Sequence, residues 1–301
     1  MFVTTYCIVV CYRPDIAQLI TLCGRVVADG AKVILVDNTE VPYLDGDKLP
    51  DGCSLITLGF NSGIAHAQNV GVAEALAGGA DILLFFDQDS KVEPGLLNSL
   101  VGSLDAGIPE IVAPLCVDDA SGSAEPAERV NRHGFSTRVH HAEALTRYPV
   151  DIVISSGTAA TREVFELAGT FDEAFFIDYV DSEWCLRCRG KNIPIYVVPT
   201  AIMRHSVGSG HIRVGPFSIQ VHSAARCYYQ IRNCFLLFRR PHVPPVWASR
   251  QLLSVILSRI LLLFFVKQRS SYLRSYLFAV RDGLKGIGGA APQEASDTTI
   301  R

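Results

Sequence analysis

Along the first ninety residues, apolar positions come in short blocks, each closed by a polar residue or glycine. Residues 2–10, 32–36, 55–58 and 82–86 are predominantly apolar runs. They lack the polar alternation of a half-solvated strand, so each predicts a strand buried on both faces. Between them the spacing changes to that of a helix. Ile16, Leu19, Ile20, Cys23, Val26 and Val27 recur at helical intervals within 15–28, and Gly30 ends the pattern. Residues 62–76 form a second helical stretch, ended by Gly78-Gly79. Strands and helices in alternation predict an α/β domain with a mostly parallel sheet covered by helices on both faces. Ligands bind beyond the carboxyl ends of such strands. The polar residues that stop the runs are therefore site candidates: Asp37, Asn38, Asp87 and Asp89.

The middle of the chain is less regular. Residues 118–148 are polar and hold Gly122, Pro126 and Gly134, which predicts a long binding loop. A strand at 150–154 then runs into Ser155-Ser156-Gly157-Thr158. Helices are expected at 162–168 and 181–189, and a strand at 195–198. Beyond His205 the segment 247–266 is strongly apolar but holds Arg250 and Arg259. Its uncharged part, 260–266, is far shorter than the roughly 20 residues a bilayer span needs. Burying Arg259 in lipid would add about 2.5–3.5 kcal/mol. Helices lying on a membrane or packed in the protein are expected instead. Residues 286–301 are small and polar and predict a disordered tail. The division expected is a domain at 1–210, with halves at about 1–115 and 116–210. A basic, apolar helical extension at 211–285 and the tail follow.

Charge sharpens this division. Residues 1–203 carry 27 acidic and 13 basic side chains, whereas 204–285 carry 13 basic ones and a single acid, Asp282. The two parts either neutralise each other across a contact or present the basic part to a partner. Its cations are interleaved with apolar runs, which fits an anionic membrane surface better than nucleic acid. The amino terminus has no basic n-region, so no signal peptide is expected. Nine cysteines are scattered, and only Cys185 and Cys188 form a CxxC. With no second pair to complete a zinc site, buried free thiols in a reducing cytoplasm are expected.

The strongest chemical signal is Phe85-Phe86-Asp87-Gln88-Asp89. Residues two apart in an extended segment point the same way, and two such carboxylates repel unless a cation sits beside them. A hard divalent ion accepts one or two carboxylates and completes its shell with phosphate and water. A surface turn is the alternative.

Several segments together resemble glycosyltransferase family 2, the inverting transferases of GT-A (Rossmann-like) fold, and within it the rhamnosyltransferase branch. Val9-Val10-Cys11-Tyr12-Arg13-Pro14 resembles the opening strand and donor-pocket turn. Residues 33–38 resemble the second strand with its base-reading acid. Asn61-Ser62-Gly63-Ile64-Ala65-His66-Ala67-Gln68-Asn69-Val70-Gly71 resembles the N-x-G-x-A-x-A-x-N-x-G helix, and Phe86-Asp87-Gln88-Asp89-Ser90 the DxD-type motif in its rhamnosyltransferase form. Ser155-Ser156-Gly157-Thr158 resembles the acceptor-side strand end, and residues 169–176 the approach to the base-bearing helix. The match covers about residues 2–210.

The resemblance implies a donor pocket of Tyr12, Arg13, Pro14, Asp37, Asn38, Asn61, Gly63, Gln68, Asp87 and Gln88. It implies acceptor-side residues Ser156, Gly157 and Trp184, with Trp184 either stacking on a sugar or filling the core. The implied metal, Mg²⁺ or Mn²⁺, is held by Asp87, Asp89 and His205. Aligning on Cys185-Leu186-Arg187 puts the catalytic base at Asp181, with Asp178 and Glu183 as support or rivals; Val180 stands where the family has an acid. An acceptor hydroxyl must lose its proton as the bond forms, which a positioned carboxylate accomplishes. Near a helix N-terminus Asp181 is expected to stay ionised; the alternative makes it an N-cap only.

The implied donor is dTDP-L-rhamnose, with a UDP-hexose or UDP-galactofuranose as the alternative. The implied acceptor is a glycan or lipid-linked glycan in cell-surface polysaccharide synthesis, at the inner face of the cytoplasmic membrane. Self-association is compatible with the sequence. The processive members' Q-x-x-R-W motif is absent, since the only tryptophans are Trp184 and Trp247. Two other classes stand beside this one. A nucleotidyltransferase would need a Gly-rich triphosphate loop, which residues 11–14 lack. A non-catalytic nucleotide-sugar or glycan binder would share the fold without the chemistry.

Overall fold

The computed structural model describes residues 3–118, 127–139, 144, 146–205, 211–214 and 217–296. Along the chain the strands and helices are β1 (Thr5–Cys11), α1 (Ile16–Ala28), β2 (Lys32–Asp37), β3 (Cys53–Thr57), α2 (Ile64–Ala77), β4 (Ile82–Asp87) and α3 (Leu96–Val101). The second half continues with β5 (Ile111–Asp118), β6 (Ala127–Val130), β7 (Ser136–Val139), β8 (Tyr148–Val150), β9 (Ala159–Thr161), α4 (Arg162–Ala168), α5 (Val180–Gly190) and β10 (Ile195–His205). The hairpin β11 (His211–Val214) and β12 (Phe217–Gln220) leads to α6 (Ala224–Leu237), α7 (Pro245–Leu263), α8 (Arg269–Lys285) and α9 (Gln293–Ser296).

Eight strands form one sheet in the order β3-β2-β1-β4-β9-β5-β10-β8. β3, β2, β1 and β4 pair in parallel. β9 is antiparallel to both β4 and β5, so β5 and its parallel neighbour β10 run the same way as the first four strands. The expected mostly parallel, doubly covered sheet is therefore present. Successive residues of β1 serve opposite faces. Tyr6, Ile8 and Val10 pack with α2, α4 and α5, and Cys7, Val9 and Cys11 pack with α1 and α3. That two-sided burial is why these strands are apolar throughout. Asp15 starts α1 by accepting from the N–H groups of Ala17 and Gln18.

All nine cysteines are free, and Cys185 and Cys188 are buried in α5. Among the described residues no group of three or more His, Cys, Asp or Glu side chains could hold a metal. Within the region expected to be one long loop, β6 and β7 pair as a hairpin; residues 119–126, 140–143 and 145 lie outside the described residues.

Residues 286–296 differ from the expected disordered tail. The carbonyls of Ile287 and Gly289 accept from Arg232, the Gly289 N–H donates to Ala174, and Ala295 is buried. Small side chains let this segment lie flat on α6, a fit that composition does not reveal. Residues 297–301 lie outside the described residues.

α7 and α8 keep one face each unburied. Leu253, Leu257, Ile260 and Phe264 recur at helical intervals and are exposed, as are Phe265, Leu273, Leu277 and Leu284. Arg250, Lys267, Arg269, Arg274, Arg281 and Lys285 are exposed around them. α7, at 19 residues, is long and apolar enough to cross a membrane. Its other face is committed to protein, because Trp247, Ala248, Arg259 and Leu262 are buried. Arg259 sits against the Cys227 thiol of α6 at 3.6 Å.

Candidate active site

β4 carries Asp87 to the carboxyl end of the sheet, beside the Ser155–Gly157 turn. The Asp87 N–H donates to Ser156 Oγ at 3.2 Å, and Ser156 Oγ also meets Ser90 Oγ at 2.9 Å. Gly157 donates from its N–H to the Phe85 carbonyl at 2.7 Å. Its φ is +80°, and a Cβ there would lie 2.6 Å from Pro114 Cγ. Ser156 is buried. Ser156 and Gly157 thus brace the DxD turn from behind, and neither faces an acceptor as expected.

The donor-side residues fall into two groups. Tyr12 and Arg13 are exposed on the β1–α1 turn, where Tyr12 Oη donates to Glu40 at 3.0 Å and Arg13 pairs with Glu40 at 3.2 Å. Pro14, next to them, is buried. Gln88 clamps this turn to the DxD segment, accepting from the Tyr12 N–H at 2.7 Å and donating to its carbonyl at 3.2 Å. Asp37 is sealed from solvent at 0% exposure. Its carboxylate accepts from Thr39 N–H and hydroxyl and from the N–H groups of Tyr43 and Leu44. It shapes the 38–44 loop; the expected direct contact with a base does not fit that burial.

Asn38, Asn61 and Ser62 form a network that leads to α2. Asn38 donates to Asn61 Oδ1 at 3.3 Å and accepts from Ser62 N–H and hydroxyl at 2.8 Å each. Gly63 has φ +84°, and a Cβ on it would lie 2.6 Å from the Phe176 ring. Only glycine fits there. The Phe176 carbonyl in turn accepts from the Ile64 N–H at 2.7 Å, satisfying the start of α2. Gln68 is buried in α2 rather than open to a pocket.

Phe176, Asp178 and Tyr179 all have positive φ, near +63°, +66° and +64°. For side chains larger than glycine this is a strained path, and it delivers Asp181 in the first turn of α5. Tyr179 is the residue before that helix and makes no side-chain cap. Asp181 therefore is not the N-cap. It is half-buried, and Oδ1 accepts from the Ser182 N–H at 2.7 Å. Burial, augmented by Asp178 and Asp87, pushes its carboxyl up to about 6, against the N–H groups of Ser182 and Ser155. The expected helix-terminus effect does not dominate; desolvation does. Asp87 is bound through its N–H to Ser156, and its charge acts on Asp181. Asp181 also lines a cavity of about 190 Å³ with Pro114, Leu115, Glu128, Ile152 and Ile154.

The rivals to Asp181 are otherwise engaged. Glu183 is 1% exposed and paired with Arg187 at 2.6 Å and His242 at 2.7 Å. Burial works to raise its carboxyl, but these partners outweigh it and hold the group below the usual range. Asp178 pairs with Arg226 of α6 at 3.1 Å. Trp184 is 2% exposed, stacked on Phe165 at 5.3 Å and bonded to the Gly169 carbonyl. It is a core aromatic and presents no face to a sugar. Asp89 lies two residues beyond Asp87, next to α1 at a groove lined by Gln18, Arg25 and Lys91. The backbone of His205 ends β10, but its side chain lies outside the described residues.

No motif announces how α6 supports this loop. Asn233 Nδ2 donates to the carbonyls of Phe175, Ile177 and Asp178 at 2.8–2.9 Å, and Arg232 Nη2 to that of Phe175 at 3.2 Å. Both side chains are fully buried. Polar residues on a helix face that is otherwise interior are the signal that could have pointed to buried acceptors.

The chain matches no protein-family model. It is similar to the dTDP-rhamnosyl transferase RfbF of Shigella flexneri, 34% identical over 292 residues that cover 96% of this chain and 98% of the relative. Among solved structures, S. aureus TarS 1-349 in complex with UDP-GlcNAc superposes with a TM-score of 0.55 at 14% identity, covering 94% of this chain and 81% of that one. GalNAc-T7 with UDP, GalNAc and Mn²⁺ gives a TM-score of 0.55 at 14% identity, covering 77% of this chain and 51% of that one. At that identity these two likenesses concern the fold.

Proposed function

This chain belongs to the rhamnosyltransferase branch of the family 2 glycosyltransferases, and on that footing we propose that it moves L-rhamnose from dTDP-L-rhamnose to a hydroxyl of a glycan or lipid-linked glycan. Asp181 is the general base. The observation that carries this reading is the placement of Asp181 in the first turn of α5, lining a cavity, with Asp87 at the carboxyl end of β4 close enough for its charge to act on it. A base whose carboxyl is lifted to about 6 is mostly ionised at neutral pH yet accepts a proton more readily than an ordinary aspartate. The acceptor oxygen attacks the anomeric carbon as the bond to the donor phosphate breaks, and configuration inverts.

Asp87 and Asp89 would hold the divalent ion, Mg²⁺ or Mn²⁺. Their donor set fits: two hard carboxylates from one turn, with the remaining positions left to phosphate oxygens and water, is the shell Mg²⁺ prefers. Bound there, the ion would supply charge neutralisation to the diphosphate. The chain's own residues do the rest. Gln88 ties the Tyr12–Arg13 turn to the DxD segment, and Ser156 fixes the Asp87 backbone.

The protein works at the cytoplasmic face of the membrane, held by the exposed apolar stripes of α7 and α8 and their cations. A single buried acid, Asp282, is bonded to Tyr228 and pairs with Arg281, so it offsets one of these cations. An Asp181→Asn variant tests the catalytic reading against a binding protein of the same fold. It should bind dTDP as the wild type does and lose about 10²–10⁴ in transfer rate; undiminished transfer contradicts the assignment.

A further inference from the structure

Arg226 belongs to the C-terminal extension, in the first turn of α6, yet its guanidinium reaches the acidic site. Nε lies 3.3 Å from both oxygens of Asp178, and Nη2 lies 3.1 Å from Oδ1. These contacts use the one edge formed by Nε and Nη2 of a group that offers five N–H donors. The side chain remains 47% exposed. Burial acts against its charge, but Asp178, and Asp87 through space, outweigh this and hold it above the ordinary arginine range. Asp87 and Asp178 likewise act on Asp181. One guanidinium is thus bonded to Asp178, three residues before the proposed base, and lies within reach of the charge of Asp87.

An ion pair that merely fastened α6 to the 175–179 loop would be superfluous. Asn233 and Arg232 already hold that loop by the carbonyls of Phe175, Ile177 and Asp178. The half-exposed fork is better explained by a ligand. A nucleoside diphosphate would bring negative charge into a site that already holds Asp87, Asp178 and Asp181, a costly approach without fixed cations. A planar guanidinium bonds a carboxylate with one edge and phosphate oxygens with another.

We propose that Arg226 binds the diphosphate of the nucleotide-sugar donor and stabilises it as the leaving group. The inference rests on the transferase reading above. In the step, the bond between the anomeric carbon and the phosphate oxygen breaks with its electron pair on that oxygen, and the acceptor oxygen bonds to the carbon. The acceptor's proton goes to Asp181, and Arg226 stays protonated throughout. Asp178 holds the guanidinium in place, which gives its strained backbone a purpose.

The test compares dTDP and thymidine, titrated by NMR into the full chain as wild type, Arg226→Ala and Arg226→Lys, with Mg²⁺ and again with EDTA. The expected result is a loss of at least about tenfold in dTDP affinity for Arg226→Ala, the size of one charge-assisted hydrogen bond. It should appear with and without the ion, with thymidine binding unchanged and Arg226→Lys intermediate. Unchanged dTDP affinity overturns the inference. So does an equal loss for dTDP and thymidine, which would mark a damaged fold. A wild type that binds UDP but not dTDP sinks the rhamnose donor alone, and the same comparison is then made with UDP and uridine. A wild type that binds neither overturns the transferase reading and this inference together.

Discussion

The side-chain amide of Asn233 lies 2.8 Å from the carbonyl oxygen of Asp178, 55 residues earlier in the chain. The same nitrogen donates to Phe175 and Ile177. The loop before Asp181 follows a left-handed path that its own side chains do not favour, and α6 holds it there. Asn233→Ala should destabilise the protein by about 1–3 kcal/mol, the cost of stranding buried carbonyls, and should lower kcat more than it raises KM. Asn233→Asp should be worse, because it sets an acceptor against acceptors. Denaturation midpoints and steady-state rates check this; a variant with wild-type stability and rate would separate α6 from the site.

Asp181 sets the pH response. Its carboxyl titrates near 6 in the folded chain, and a base works only when deprotonated. kcat/KM should hold above pH 6 and fall about tenfold per unit below it, the slope of one essential group. Stability runs the other way. A carboxylate raised on folding favours the protonated folded form, so stability declines as pH rises from the ordinary carboxylate range to about 6. Asp181→Asn should therefore be at least as stable as the wild type at pH 7 while losing about 10²–10⁴ in rate. An acid limb near pH 4 would assign the proton transfer to another group.

The α7–α8 face should bind anionic vesicles and release them in salt. Lys267, Arg269 and Arg274 are exposed beside Phe264, Phe265, Leu273 and Leu277. Each cation near an anionic surface contributes about 1 kcal/mol, so reversing all three to glutamate should weaken co-sedimentation with phosphatidylglycerol vesicles by at least about a hundredfold. Activity on a soluble acceptor should be unchanged. Equal binding to neutral phosphatidylcholine vesicles would contradict the electrostatic part of the account.

The sheet was legible because β1, β2 and β4 are buried on both faces and polar residues end most of the parallel strands. Asp37 and Asp87 mark two of those ends. The site was legible only in part. The DxD pair and Asp181 follow from pattern and resemblance, whereas the duties of Asp37, Ser156 and Trp184 depend on which neighbours surround them. Asp37 closes a loop, Ser156 braces Asp87, and Trp184 fills the space between Phe165 and Phe171. Asn233 and Arg232 act on backbone carbonyls 55–58 residues away. A carbonyl has no side-chain identity, so no pattern in the sequence announces such a contact.

Donor turnover tests the central claim most directly. Purified chain is incubated with dTDP-L-rhamnose, UDP-glucose, UDP-GlcNAc or UDP-galactofuranose and a membrane lipid extract, with Mg²⁺ or Mn²⁺ and with EDTA. The account predicts dTDP release from dTDP-L-rhamnose that EDTA abolishes and Asp181→Asn slows by about 10²–10⁴. Turnover of a UDP-sugar instead, or turnover of dTDP-L-rhamnose that EDTA leaves untouched, would contradict it.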